Sequence, residues 1–126
     1  MDRAKGSVLI VDDEQALTDV VARTLESEGY NCVTAADGRE ALEKASLHRF
    51  DVVLLDIAMP GLSGIEVLPR LLADHPDTSV LMTTAAIDTQ TAVEAINLGA
   101  YDYVTKPFSL IDLSAKIEEA VTSKRR

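Results

Sequence analysis

The stretch Asp51-Val52-Val53-Leu54-Leu55-Asp56 gives the clearest signal of the fold. Its short apolar run ends abruptly at a carboxylate. The run is too short for a helix, and its lack of alternation is typical of a strand buried on both faces. Ser7-Val8-Leu9-Ile10-Val11 repeats the pattern and is followed directly by Asp12, Asp13 and Glu14. Both stretches therefore predict buried strands with acidic residues at their carboxyl ends.

Three further strands are predicted, two of which also end in polar or charged residues. Ser79 to Thr83 leads into Thr84, and Tyr101 to Thr105 leads into Lys106. Asn31 to Ala35 is a weaker pattern, which we place nearer an edge of the sheet. If these strands lie side by side and parallel, the groups that follow them meet at one edge of the sheet.

A helical pattern follows each strand. The predicted helices run from Ala16 to about Glu28, from Asp37 to about Leu47, from Ser63 to Pro76, from Asp88 to Leu98 and from Ser109 to Val121. Ser63 and Glu66 form a capping box at the third helix. Pro69 lies inside that helix and removes a backbone hydrogen bond, so we expect a kink or a distorted first half. The fourth helix has few large apolar residues and is expected to be the least firmly packed.

Five repeats of strand and helix predict an α/β fold, a single doubly wound (βα)5 domain with a parallel sheet and right-handed crossovers. We expect one domain over residues 1–126, with its core at about 7–122 and a short basic tail at 123–126. The residues of the last helix expected to face inward are Ile111, Ala115, Ile117, Ala120 and Val121.

The composition excludes several classes of function. Hydrophobic residues make up 47% of the chain and aromatic residues only 4%, so the core must consist mostly of Val, Leu, Ile and Ala. A net charge of -9 argues against direct binding of nucleic acid. No signal-peptide pattern and no apolar run near the roughly 18 residues of a membrane span is seen, so we expect a cytoplasmic protein. Cys32 is the only cysteine, which leaves no intramolecular disulfide.

The residues expected at the carboxyl edge of the sheet are Asp12, Asp13, Asp56, Thr84 and Lys106. Ligands of doubly wound sheets bind at this edge. Two carboxylates about 5 Å apart repel by roughly 3 kcal/mol at an effective dielectric near 20. Mg²⁺ would offset this repulsion, since it prefers one or two carboxylates, waters and a phosphate oxygen. With Lys106 as a compact charge for a phosphate oxygen and Thr84 as a hydroxyl donor, the set predicts a metal and phosphoryl site.

Each of these residues also has a purely structural explanation. The acidic residues after the first strand could only favour the start of a helix. Asp56 could begin a loop, and Lys106-Pro107 could form a turn. The site is favoured because all of them fall at predicted carboxyl ends of strands together. The chain has neither a Walker-type loop nor a Ser-His-Asp set, so a nucleotide site and a serine nucleophile are poorly supported.

Four motifs at the strand ends carry a more specific signal. They are Leu9-Ile10-Val11-Asp12-Asp13-Glu14, Leu55-Asp56-Ile57-Ala58-Met59-Pro60-Gly61, Met82-Thr83-Thr84-Ala85 and Tyr103-Val104-Thr105-Lys106-Pro107-Phe108. In these motifs, and in their order and spacing, the chain resembles response-regulator receiver domains of two-component signalling systems from Val8 to Val121. The stretch from Gly99 to Phe108 looks most like receivers of nitrogen-regulatory-type activators. The resemblance implies a flavodoxin-like fold with strand order 2-1-3-4-5.

The resemblance also implies the chemistry of the site. Asp56 would be the phosphoacceptor and would attack a phosphohistidine of a sensor histidine kinase. Asp13, Asp56 and the backbone carbonyl of Ala58 would hold Mg²⁺, with Asp12 acting through water. Lys106 would neutralise charge on the phosphoryl oxygens during in-line transfer, and its bond to Pro107 would be cis.

A conformational switch is implied as well. Thr84 would bond the attached phosphoryl group, and Tyr103 would turn inward in response. The face of the fourth helix, fifth strand and fifth helix would then contact an output domain, a downstream protein or a second copy in a homodimer. Tyr103 could instead be a plain packing residue.

Two other functions remain open at this point. One is a pseudo-receiver, an interaction module that is not controlled by phosphorylation. The other is a metal-dependent phosphohydrolase, which would need a second acid two residues after the nucleophile, where this chain has Ala58. The leading interpretation is a signalling switch that catalyses only its own phosphorylation and dephosphorylation and is not otherwise an enzyme.

Overall fold

The computed structural model describes residues 4–123, with Ala86 described by its backbone alone, so residues 124–126 of the predicted tail lie outside the described residues. The strands are β1 (Ser7–Val11), β2 (Asn31–Ala35), β3 (Val52–Asp56), β4 (Ser79–Ala85) and β5 (Asp102–Lys106). The helices are α1 (Gln15–Ser27), α2 (Gly38–Leu47), α3 (Gly64–Asp74), α4 (Thr89–Asn97) and α5 (Leu110–Ser123). All strand pairs are parallel and the order is β2-β1-β3-β4-β5, which confirms the predicted fold.

The sheet separates two apolar clusters. Leu55 and Met82 belong to the cluster that contains residues of α2, α3 and α4. Leu54 and Leu81 belong to the cluster that contains residues of α1 and α5. Every residue of β3 is buried because helices cover both faces of this central strand, and this explains its unbroken apolar run.

The predicted capping box of α3 is present. Ser63 Oγ accepts a hydrogen bond from the Glu66 backbone N–H, and Glu66 Oε1 accepts one from the Ser63 backbone N–H at 3.0 Å. The helix runs on past Pro69, which lies on its exposed side. A bend at Pro69 stays a prediction. The capping box therefore fixes where α3 begins, immediately after the loop that leaves β3.

The inward face of α5 was predicted incorrectly at two positions. Ile111 is 81% exposed and Ala115 is also exposed, whereas Leu113 is buried together with Ile117. Ser109 Oγ accepts hydrogen bonds from the backbone N–H groups at 111 and 112 and so sets where the helix starts. Leu113 and Ile117 then share one stripe at i, i+4 spacing, and Ile111 points away from it.

Two strands extend further than predicted. β4 continues to Ala85 and β5 continues to Lys106, so Thr84 and Lys106 are among the last residues of their strands rather than beyond them. Their side-chain directions are therefore fixed by strand alternation. Among residues 4–123, no helix is both long and apolar enough to cross a membrane.

Candidate functional site

Asp12 and Asp56 lie side by side at the carboxyl edge of the two central strands. Val11 pairs with Leu55 in the parallel register of β1 and β3, so the next residue of each strand is the aspartate. Asp12 is 5% exposed and Asp56 is 4% exposed, whereas the neighbouring Asp13 is exposed. One carboxylate oxygen from each of the three lies within 4.8 Å of the others. The structure therefore gathers the acidic residues predicted from the sequence.

Lys106 reaches this cluster from the edge strand β5. Its Nζ lies 2.6 Å from Asp12 Oδ2 and 3.4 Å from Asp56 Oδ2. The other oxygen of Asp12 accepts a hydrogen bond from the Glu14 backbone N–H at 2.9 Å. The Lys106–Pro107 peptide bond is cis, as the resemblance implied. One ammonium thus bridges two buried carboxylates that come from different strands.

The protonation of the cluster reflects its burial. Desolvation, reinforced by the nearby Asp12 carboxylate, raises the pKa of Asp56 to about 6, although Lys106 and a hydrogen bond from the Ala58 backbone N–H oppose the rise. Burial alone would lower the pKa of Lys106, but the carboxylates of Asp12 and Asp56 outweigh it and raise that pKa. Asp56 is accordingly a carboxylate whose negative charge is only partly compensated within the protein.

The donor set of the cluster fits Mg²⁺. Three carboxylates and one ammonium leave an excess of negative charge that one divalent cation would neutralise. All the candidate ligand atoms are hard oxygens, which Mg²⁺ prefers. Ala58 is exposed beside the cluster, in the loop that follows Asp56, so its carbonyl is a further candidate ligand.

Thr84 and Tyr103 lie on the opposite face of the sheet from Asp56 and Lys106. Tyr103 packs against the cluster on the side of α3 and α4, and its partner in the β4–β5 register is Met82 of the same cluster. Strand alternation places Thr84, two residues beyond Met82, on that face as well. The Thr84 hydroxyl donates to the Ala85 carbonyl at 3.1 Å. The sequence predicted a common edge for these residues but not this division between two faces.

Two residues near Asp56 received no role from the sequence. Thr83 is buried and pairs in register with Asp56, and its carbonyl accepts the Ile57 backbone N–H at 3.0 Å. Gly64 is the first residue of α3 and is buried against the backbone of Asp56. The register of β3 with β4 would have indicated Thr83, but the close approach at Gly64 has no sequence signal beyond a glycine that follows a cap.

The helix behind Thr84 is weakly anchored. α4 has no side-chain hydrogen bond at its N-cap, and its buried residues are the small Ala92 and Ala95. Val93 and Ile96, in contrast, are exposed. The sparse packing expected for the fourth helix is thus present on the face shared by Thr84 and Tyr103.

The comparison with known proteins agrees with this geometry. Residues 8–118 match the family model of the response regulator receiver domain. The transcriptional regulatory protein YkoG of Bacillus subtilis is 42% identical over 117 residues, which cover 93% of this chain and 51% of YkoG. The transcriptional regulator NtrC of Escherichia coli is 37% identical over 118 residues, which cover 94% of this chain and 25% of NtrC.

Solved structures show the same relationship. NtrX of Brucella abortus superposes with a TM-score of 0.91 at 35% identity, covering 98% of this chain and 28% of NtrX. A CheY-like receiver domain protein of Methanospirillum hungatei superposes with a TM-score of 0.90 at 34% identity, covering 94% and 95% of the two chains. The chain therefore spans only a quarter to a half of the curated relatives named above. By sequence and by fold, this chain belongs to the response-regulator receiver domains of two-component signalling systems.

Proposed function

We propose that this chain is a phosphoacceptor switch and that Asp56 receives the phosphoryl group of a phosphohistidine on a sensor histidine kinase. The observation that carries the proposal is the Lys106 ammonium held between two buried carboxylates in an acidic cluster. A resting ion pair of this kind keeps a cation next to the place where the phosphoryl oxygens would arrive. We also propose that residues 1–126 form one domain with its core at about 7–122.

The positions of the side chains support the following transfer step. A carboxylate oxygen of Asp56 attacks phosphorus in line, a P–O bond forms, and the P–N bond to the kinase histidine breaks with its electron pair on nitrogen. Lys106 leaves Asp12 for a phosphoryl oxygen and neutralises part of its charge. Mg²⁺ would be held by Asp13, Asp56 and the Ala58 carbonyl, with Asp12 acting through water, and would supply charge neutralisation at the phosphoryl oxygens.

The response proposed for the switch involves the other face of the sheet. Thr84 exchanges its bond to the Ala85 carbonyl for one to the phosphoryl group, and this movement frees space for Tyr103 to turn inward. The weakly anchored α4 then changes the face it forms with β5 and α5. That face contacts an output domain, a downstream protein or a second copy of the chain, and we place the protein in the cytoplasm.

Treating the chain with Mg²⁺ and a small-molecule phosphate donor tests the proposal. Intact-mass measurement should show the addition of one phosphoryl group to the wild type and none to Asp56→Asn. Asp51→Asn is the matched control, because Asp51 adjoins the other end of the same strand and its carboxylate accepts the Ser7 backbone N–H at 2.8 Å. If the wild type gains no phosphoryl group, or if Asp56→Asn gains it equally, the chain is not this switch.

A further inference from the structure

The start of α3 lies directly against the backbone of the proposed phosphoacceptor. A Cβ atom on Gly64 would lie 2.9 Å from Ile57 Cα and 3.0 Å from the carbonyl carbon of Asp56, and closer still to the Asp56 carbonyl oxygen. Real Cβ atoms essentially never approach other atoms to less than 3.0 Å. Only glycine therefore permits this approach.

Hydrogen bonds join Ile57 to the start of α3 on one side and to β4 on the other. The Gly64 backbone N–H donates to the Ile57 carbonyl at 2.9 Å, and the Ile57 backbone N–H donates to the Thr83 carbonyl at 3.0 Å. The loop of residues 57–63 thus leaves β3 and returns to the same peptide. Ala58, whose N–H also bonds to the Asp56 carboxylate, lies within this closed loop.

We propose that Gly64 is a positioning residue of the phosphoryl site. Its missing side chain lets α3 press on the Asp56–Ile57 peptide, and this contact fixes the Asp56 carboxylate and the Ala58 carbonyl at once. The inference rests on the proposed function, because the proposed function assigns the Asp56 carboxylate and the Ala58 carbonyl to Mg²⁺.

The neighbouring elements leave no easy way to absorb a side chain at Gly64. α3 is anchored by the fully buried Leu68 and Leu71, and β3 is paired with a strand on each side. The atoms that a Cβ would meet are backbone atoms, which cannot rotate away as a side chain can. The displacement must therefore fall on the loop of residues 57–63 and on Asp56.

The full chain carrying Gly64→Ala tests the proposal by titration with Mg²⁺ alone, followed by NMR chemical shifts. Loss of supporting contacts around metal ligands typically weakens metal binding by about 10- to 100-fold, and we expect an increase of this order in the Mg²⁺ dissociation constant. Phosphorylation by a small-molecule donor should also be slower at saturating Mg²⁺, because Asp56 itself is displaced. An unchanged dissociation constant would overturn the proposal.

Gly29→Ala is the matched control. Gly29 has a φ of 104°, so alanine there is strained. The residue lies in the turn between α1 and β2, at the amino ends of the strands and thus opposite the carboxyl edge that carries Asp56. Its variant should melt at a lower temperature and keep the wild-type Mg²⁺ affinity and phosphorylation rate. An equal loss of Mg²⁺ affinity in both variants would reduce Gly64 to a structural role and refute the proposal.

Two further results separate the possible failures. If the wild type binds Mg²⁺ but is never phosphorylated, the proposed function fails while the Mg²⁺ comparison still decides the role of Gly64. If Gly64→Ala does not fold, Ser63→Ala loosens the start of α3 by removing its cap. That variant should weaken Mg²⁺ binding in the same direction but by less, and wild-type affinity in it would overturn the proposal.

Discussion

α3 and α4 pack on the same face of the sheet but are anchored very differently. α3 has a complete capping box and buries Val67, Leu68 and Leu71. α4 has no side-chain cap and buries only two alanines, while it exposes Val93 and Ile96. α3 starts beside Asp56, the proposed phosphoacceptor, and α4 follows the strand that carries Thr84.

The side of the site next to α3 is firmly packed, and the side next to α4 is loosely packed. In the proposed switch, the side that holds the reacting groups is packed by large residues and backbone contacts. The side that must respond has little buried apolar area to lose when it moves, and local stability is low where such packing is sparse. A switch of the proposed kind needs both properties, and neighbouring helices on one face of the sheet can supply them separately.

Truncating one apolar residue in each helix should give the largest difference in stability between variants of α3 and α4. Leu68→Ala should lower the free energy of unfolding by about 2–5 kcal/mol, because it leaves a cavity under α3. Val93→Ala should stay within about 0.5 kcal/mol, because Val93 is 45% exposed. Urea denaturation of the two variants measures both values. Equal losses would show that α4 is anchored as firmly as α3.

The pH dependence of stability tests the charge of Asp56, which lies on the side of the site next to α3. Because the folded state raises the pKa of Asp56 from 3.8 to about 6, the folded protein binds this proton more tightly than the unfolded chain does. Its contribution to stability therefore falls as pH rises from about 4 to about 6 and stays low above that range.

Without metal at pH 7.5, Asp56→Asn should be more stable than the wild type by roughly 1–3 kcal/mol, the upper end being the full linkage energy of this shift. The two proteins should converge in stability near pH 4. Thermal melts in the presence of a chelator measure the difference, and saturating Mg²⁺ should reduce it by binding the wild-type carboxylate. A difference that is constant across this pH range would contradict the assignment to Asp56.

The smallest expected effect concerns the link between the two sides. Thr84→Ala should still be phosphorylated on Asp56, but α4 should no longer respond. The free energy that couples phosphorylation to α4 should fall by the value of one hydrogen bond, about 0.5–1.5 kcal/mol. Hydrogen exchange of α4 amides, with and without phosphorylation, measures it, and the amides of α3 serve as the internal control. Thr84→Ser restores the hydroxyl and should restore the change in exchange, and an unaltered α4 response in Thr84→Ala would exclude the proposed link.

Much of the site was predictable because strand ends are local signals. Asp12 and Asp56 each follow a compact apolar run and Lys106 ends a short predicted strand, and parallel strands bring such ends together whatever the details of packing. The inward face of α5 was harder to predict, since Ile111 and Leu113 are equally apolar. Their roles depend on the rotation of the helix about its axis, which the Ser109 cap and the sheet beneath it decide.

The alternation of strands and helices, the burial of β3 and the collection of charged residues at one edge of the sheet could all be read from the sequence. These follow from hydrophobic periodicity and capping, which act over a few residues. Three relations required the folded structure: Lys106 bridges Asp12 and Asp56, Thr84 shares the other face with Tyr103, and α3 rests on the backbone of Asp56. Those relations join residues far apart in the chain, and they depend on strand register and on close packing between elements, which no local pattern encodes.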